Sequence, residues 1–232
     1  MTEELLEFAQ GPLFRFTFIL MLAGLGRRLF LLFWSSAGAL ARAHNRDLRW
    51  KTIGSNILEW LFPFSHFGKS RTVFSVLSYG FHVGVILVPI FLAEHIALWR
   101  QGIHLGWPAL PGFLADVLTW TTILGGIGLL ISRAVYPPTR LFSSTMDYLI
   151  PVLVLIPFVT GFVAPRSWNP LSYELMLLLH ILSAELLFVL IPFTKLAHCF
   201  LFPFTRVAGR IGSRFSIEVP VTYPHSAEES KL

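Results

Sequence analysis

The sequence is poor in cysteine and in charged residues. Its 232 residues include a single cysteine, and only 13% of them are Asp, Glu, Lys or Arg. A soluble domain would carry about a quarter charged residues. One cysteine excludes an intrachain disulfide, a CxxC zinc site, a cysteine-ligated iron–sulfur cluster and a CxxCH covalent haem site. The N-terminal stretch MTEELLEFAQG is acidic and has no basic region, so we expect no cleaved signal peptide.

Hydrophobic residues make up 54% of the chain and gather into runs long enough to cross a bilayer. The 22 phenylalanines and seven tryptophans suit a lipid-facing surface with aromatic anchors at the membrane interface. The predicted fold is an all-α polytopic membrane bundle that forms one domain. Its five transmembrane helices are predicted near Leu13–Trp34, Val73–Trp99, Phe113–Ile131, Tyr148–Val163 and Leu175–Phe202.

The basic residues are distributed unevenly between the two sides of these runs. Fifteen of the 18 lysines and arginines follow the first, third and fifth runs, and the other side has only Arg15, Arg100 and Arg166. The positive-inside rule therefore predicts an N-terminus outside and a C-terminus in the cytoplasm. Residues 37–69 are then a cytoplasmic loop or interfacial helix, and residues 206–232 a cytoplasmic tail. On this interpretation the net charge of +5 reports topology and does not indicate a nucleic-acid partner.

Two of the predicted membrane runs carry a histidine towards each end. His180 and His198 are eighteen residues apart in LMLLLHILSAELLFVLIPFTKLAH. In one continuous helix this is a whole number of turns, so both imidazoles are predicted to lie on the same face, about 27 Å apart along the axis. That length approaches the hydrocarbon thickness of a bilayer. His82 and His95 are thirteen residues apart in the second run, a spacing that turns two side chains to opposite faces of an ideal helix. Pro89 lies between them, and we expect it to kink or rewind that helix.

The predicted topology makes the second and fifth runs antiparallel. His82 then lies level with His198 near the cytoplasm, and His95 lies level with His180 near the outer face. Two axial imidazoles at each level are what a six-coordinate haem b requires, so the four residues are predicted to ligate two haems. The alternative is that they make structural hydrogen bonds between helices. The loop and tail residues His44, His66 and His225 are predicted to be solvated.

Oxidation of a quinol releases protons, which a membrane cytochrome must pass to water. Glu185 is the most unusual candidate acceptor, because it is a carboxylate inside an apolar run. Arg28 and Arg140 are candidates for pairing with haem propionates, although ordinary snorkelling to the interface explains them as well. The other candidate proton acceptors near the outer level are Glu94, His104, Asp116 and Glu174.

Several stretches resemble one family. The phrase IPFTKLAH, within LLFVLIPFTKLAHCFLFPF, is similar to the last helix of the gamma subunit of respiratory nitrate reductase, a di-haem cytochrome b. FHVGV resembles its first ligand motif, and GGIGLLISRAVYPPTRLFSSTMDYLIPVLVLIPFVTGFV its third and fourth helices, so that the likeness covers about residues 70–205. Related cytochromes serve heterodisulfide-reductase-like complexes and membrane-bound hydrogenases.

The resemblance implies bis-histidine haems at His82 with His198 and at His95 with His180. It also implies an electron-transfer subunit in the cytoplasmic membrane of a bacterium or archaeon. Such a subunit oxidises quinol, for example menaquinol, near the outer haem and passes electrons to a cytoplasmic iron–sulfur partner. The reverse direction, in which an electron-donating partner reduces quinone, uses the same residues. Two haem-free alternatives are a transporter that binds an ion or proton, and a scaffold that only tethers a soluble complex.

Overall fold

The computed structural model describes residues 2–42, 50–61 and 72–215, and in these three stretches the chain forms helices, turns and short loops, without a strand. A short π-helical stretch, Ala9–Leu13, joins the first two helices. The helices are α1 (Thr2–Phe8), α2 (Phe14–Arg42), α3 (Trp50–Leu61), α4 (Thr72–Phe91), α5 (Ala93–Ile103), α6 (Gly112–Val135), α7 (Pro137–Leu141), α8 (Met146–Val163), α9 (Tyr173–Leu190) and α10 (His198–Phe215).

Five helical segments are long and apolar enough to cross a membrane. Many of their large hydrophobic side chains, such as Phe16, Ile19 and Leu124, are exposed on the outside of the bundle, as lipid-facing side chains are. The chain is therefore a multi-pass helical membrane protein, and the predicted fold class is confirmed at this level. The five segments are Thr2–Gly38, Thr72–Phe91, Gly112–Val135, Met146–Val163 and Tyr173–Phe193.

The first segment begins well before the predicted start at Leu13. Glu3 and Glu4 lie in the first turn of α1, where carboxylates interact favourably with the free amide groups of a helix N-terminus. Pro12 cannot donate a backbone hydrogen bond, and the chain accommodates it within the π-helical stretch without ending the helix.

The second predicted run is two helices, not one. α4 ends at Phe91, Leu92 is extended with φ −70° and ψ 134°, and α5 begins at Ala93. Pro89 weakens the end of α4, because it has no amide hydrogen to donate to the carbonyl group one turn earlier.

The last predicted run is also interrupted. α9 ends at Leu190, and two single 3₁₀ turns, Ile191–Phe193 and Lys195–Ala197, lead to His198, the first residue of α10. The prediction that His180 and His198 share one face of a continuous helix is therefore wrong. Pro192 removes a backbone donor, and Thr194 is extended and caps the second turn with its side-chain oxygen.

The predicted cytoplasmic loop and tail contain helix. α2 runs to Arg42 and α3 lies within the predicted loop, while α10 continues to Phe215 within the predicted tail. Residues 43–49, 62–71 and 216–232, and with them His44, His66 and His225, lie outside the described residues.

The membrane helices pack in sequence around the bundle. α4 packs along α6, α6 on α8, α8 on α9, and α9 on α2, while α10 packs on α2 and α3. Within residues 72–190, the helices α4 and α9 make at most sparse contact with each other. α4 carries His82 and α9 carries His180, one histidine from each predicted pair. One core cluster joins α4, α6 and α8 through Val88, Ile123, Val154 and Phe158, and another joins α2 to the start of α10 through Met21, Leu25, Ala197 and Leu201.

At Gly84, α4 approaches α6 closely. A Cβ atom there would collide with the Thr122 hydroxyl and lie 2.8 Å from the Leu118 carbonyl oxygen, and Thr122 is 0% exposed. We expect Gly84→Ala to lower the free energy of unfolding by about 1–3 kcal/mol through overpacking. Gly26→Ala in α2 is the matched control, because its Cβ atom would meet nothing within 4 Å. That control should be neutral or gain about 0.5–1 kcal/mol. Equal thermal unfolding midpoints of the two variants in detergent would contradict the packing argument.

Candidate functional site: two histidine pairs

The structure brings together both of the predicted histidine pairs. In the first pair, the ring centroids of His82 on α4 and His198 at the start of α10 are 5.8 Å apart. In the second pair, those of His95 on α5 and His180 on α9 are 6.0 Å apart, with the rings 17° from parallel. Two imidazoles that bind one metal from opposite sides through bonds of about 2 Å have centroids about 6 Å apart. The spacing in both pairs suits shared ligation of one metal.

All four imidazoles are held in the same way. The Nδ1 atom of each ring lies within hydrogen-bond distance of a main-chain carbonyl oxygen, which can only accept. Nδ1 therefore carries the hydrogen, and in the neutral ring Nε2 keeps a lone pair, which in His198 lies 3.7 Å from Cys199 Sγ. This is how metal-binding histidines are commonly oriented. The partners are Ser78 for His82 at 2.7 Å, Pro89 for His95 at 3.0 Å, Pro157 for His180 at 2.9 Å and Lys195 for His198 at 2.5 Å.

Three consecutive carbonyl groups at the end of α4 explain how His95 reaches His180. The last carbonyl groups of a helix have no partner within the helix. Pro89 O accepts from the His95 ring, Ile90 O accepts from Trp107 Nε1 at 2.9 Å, and Phe91 O accepts from Leu110 N at 2.9 Å. α5 is a separate helix with its own direction. The thirteen-residue spacing, which in one ideal helix would put His82 and His95 on opposite faces, therefore does not apply here.

Trp107 is a residue that the sequence analysis missed. A tryptophan in a short loop after a membrane run looks like an interfacial anchor, and only the fold shows its indole group bound to the end of α4.

We expect Trp107→Phe to loosen the second pair and leave the first unchanged. The variant keeps an aromatic ring but removes the donor to the exposed Ile90 carbonyl oxygen, at a cost of about 0.5–1.5 kcal/mol. Any spectroscopic signal from a metal centre at His95 and His180 should broaden or shift. Trp168→Phe is the control, because Trp168 is an exposed tryptophan in the loop before α9. The same shift in both variants would contradict a specific role for Trp107.

Gly161 gives His180 its place against α8. A Cβ atom at this position would lie 2.7 Å from Cε1 and 2.8 Å from Nδ1 of His180. Only glycine leaves room for the ring to approach the Pro157 carbonyl oxygen.

The motif IPFTKLAH builds the turn that presents His198. Pro192 packs against Gly24 of α2, and Thr194 Oγ1 accepts from the amide of Leu196 at 3.2 Å. Lys195 Nζ donates to Asp147 Oδ1 at 2.6 Å, and the Lys195 carbonyl oxygen accepts from the His198 ring. The residues of this phrase therefore act together to fix one exposed imidazole. Cys199 Sγ lies 3.7 Å from His198 Nε2.

The predicted proton acceptors occupy different settings. Glu185 is buried on α9, whereas Glu94, next to His95 on α5, is exposed. His104 is exposed and ends α5 in the left-handed conformation, with φ 57°. Asp116 accepts two hydrogen bonds from Arg166 Nη2, at 2.7 and 2.8 Å, and Glu174 is exposed in the first turn of α9.

The two predicted propionate partners are placed differently. Arg28 is half-buried and donates from Nη1 to the Thr194 carbonyl oxygen at 3.4 Å, which puts it beside the turn before His198. Arg140 is exposed on the short helix α7. Arg28 therefore lies next to the turn that presents His198 of the first pair.

The fold and the two pairs define the class as a multi-pass helical membrane protein with paired histidines. The chain belongs to the same family as a protein of Nitratidesulfovibrio vulgaris, strain Hildenborough, which bears only the designation "Protein". The two are 35% identical over 162 residues, which cover 69% of this chain and 70% of the relative. No family model matches the chain. No solved structure matches it either.

Proposed function

We propose that this protein is a two-haem b membrane subunit of an oxidoreductase, which exchanges electrons between the quinone pool and a partner subunit. The proposal rests on two imidazole pairs, whose ring centroids lie 5.8 and 6.0 Å apart. In all four rings Nδ1 is hydrogen-bonded to a main-chain carbonyl oxygen. The order of the histidines is reversed between the two chain segments, so the pairs lie at two levels of an antiparallel arrangement.

The donor set fits haem better than a bare metal ion. Two neutral imidazoles are too few for structural zinc, which takes four protein ligands, but they complete iron whose other four ligands are porphyrin nitrogens. Sparse packing between α4 and α9 supports the same assignment, because a cofactor between them needs that space. When bound, each haem would supply a one-electron carrier within the membrane.

Residues of this chain would hold the two haems. His82 and His198 would bind one haem, and His95 and His180 the other. Arg28, beside the turn before His198, is placed to pair with a propionate of the first haem, and exposed Arg140 is a weaker candidate. The lipid-facing apolar side chains around the bundle would exclude water from both levels.

The distribution of basic residues supports an orientation with the first pair near the cytoplasm. A partner subunit carrying iron–sulfur clusters would then dock beside α10, which begins at His198 and packs on α2 and α3. Quinol would react near the second pair, where exposed Glu94 and His104 can pass protons to water. The same residues serve quinone reduction when a hydrogenase or a sulfur-metabolism complex donates electrons. The resemblance of IPFTKLAH to the nitrate reductase gamma subunit supports this proposal.

The test is reduction by a quinol. The protein is purified with its bound cofactor, reconstituted in nanodiscs and mixed with a reduced menaquinone analogue. We expect the haem b absorbance bands to develop, and a subsequent addition of ferricyanide to reverse them. Bands that develop with dithionite but never with quinol would contradict the quinone reaction while leaving haem binding intact.

A further inference from the structure

Glu185 is a buried carboxyl group without a partner. Its residue is 3% exposed, and neither Oε1 nor Oε2 has a hydrogen-bond partner among the described residues. Almost all buried polar groups in native proteins are hydrogen-bonded, so this exception requires an explanation. An ionised carboxylate in an apolar interior is far more costly than a neutral carboxyl group, and in membrane helices such residues are usually functional.

Glu185 does not share the face of α9 that carries His180. Five residues separate them, which is about 140° around the helix axis and about 9 Å between Cα atoms. The carboxyl group and the imidazole lie farther apart than the two Cα atoms, because they leave α9 on different faces, but charges in a low-dielectric interior interact over such distances without touching. Glu185 is therefore placed to sense charge at the second pair without being a ligand.

α9 packs along α2. Pro192, just after α9, packs on Gly24 of α2, where an added Cβ atom would lie 2.8 Å from Pro192 Cγ. Earlier in both helices, the ring centroids of Phe14 and Phe18 each lie 5.9 Å from the ring centroid of Phe188. α2 and α9 are thus parallel. α1 and the π-helical stretch Ala9–Leu13 pack against α9 as well, and Ala9 is 1% exposed. Thr17 is also buried, at 4% exposed.

The charged groups on the elements packed against α9 are engaged elsewhere. Asp147 of α8 pairs with Lys195, and Arg28 of α2 donates to the Thr194 carbonyl oxygen. The remaining charged residues of α1 and α2 whose side chains are described are exposed: Glu3, Glu4, Glu7, Arg15 and Arg27. None of these groups hydrogen-bonds to Glu185, whose two carboxyl oxygens have no partner among the described residues.

We propose that Glu185 takes up one proton when an electron arrives at the second histidine pair, and releases it when the electron leaves. The inference rests on the proposed function. The electron comes from quinol or a chemical reductant, the proton comes from water, and the only bond made or broken is the O–H bond of the carboxyl group. The oxidised centre would carry positive charge, which favours the ionised carboxylate; an added electron removes that charge and favours the protonated carboxyl group, so electron and proton neutralise each other in the interior.

The test uses the complete haem-loaded protein. The midpoint potential of the second-pair haem, identified by its loss in His180→Ala, is measured over a range of pH. We expect that the wild-type potential falls as pH rises, that Glu185→Gln loses most of this dependence, and that Glu59→Gln, which replaces an exposed carboxylate on α3, retains it. Glutamine is nearly isosteric with glutamate and does not titrate.

Redox-difference infrared spectroscopy of the wild type supplies a second measurement, should the glutamine variant fail to fold. We expect a protonated-carboxyl band on reduction that shifts in D₂O. Haem with an unchanged pH dependence in Glu185→Gln, or no such band in the wild type, would overturn this inference alone. A wild-type protein without haem would overturn the proposed function as well.

Discussion

Replacing His198 with alanine is expected to leave the purified protein with about half of its haem. His198 lies 5.8 Å from His82 between ring centroids, and the second pair is built from other elements, so one centre should be lost and the other kept. The measurement is haem per polypeptide from the pyridine haemochrome spectrum. His104→Asn is the control, since asparagine tolerates the left-handed conformation found there.

A His198→Ala protein that still binds two haems would show that this residue is not a ligand. The same loss in His104→Asn would show that histidine substitutions disturb the membrane bundle in general.

Combining one substitution from each pair should remove all of the haem. His82→Ala with His180→Ala breaks both centres, whereas His82→Ala with His198→Ala breaks one centre twice and should retain as much haem as either single variant. The effects of two substitutions at the same haem are not additive, whereas the effects of substitutions at separate haems add. The haem content of the two double variants therefore shows which histidines share a haem.

The alternative pairing, with His82 opposite His180, makes the opposite forecast for these two double variants. Near-infrared magnetic circular dichroism of the single variants provides an independent check, because the surviving centre should keep its bis-imidazole signature.

The membrane runs and the partners within each pair were predictable because their signals are long or depend on simple counts. Five apolar runs need only length and composition, and the reversed order of His82, His95, His180 and His198 needs only antiparallel helices. A kink near Pro89 in the run of His82 and His95 was expected, but the break in the run of His180 and His198 was not. The pairs form nonetheless, because each break turns a histidine towards its partner.

The breaks themselves depend on contacts between residues distant in sequence. Leu92 is extended where Trp107 and Leu110 bind the last carbonyl groups of α4, and no local pattern announces that these loop residues return to it. The turn before His198 depends on Gly24 and Arg28 of α2 in the same way. Glu185 was conspicuous in the sequence, but its lack of a partner became visible only once the neighbouring helices were in place.

The most direct test of the central claim is the cofactor content of the wild-type protein. Purified under mild conditions, it should contain two haem b groups per polypeptide. Its oxidised form should give low-spin ferric signals in electron paramagnetic resonance, as six-coordinate bis-imidazole iron does. A protein that carries no haem under conditions where it is folded would contradict the account and favour a haem-free transporter or scaffold.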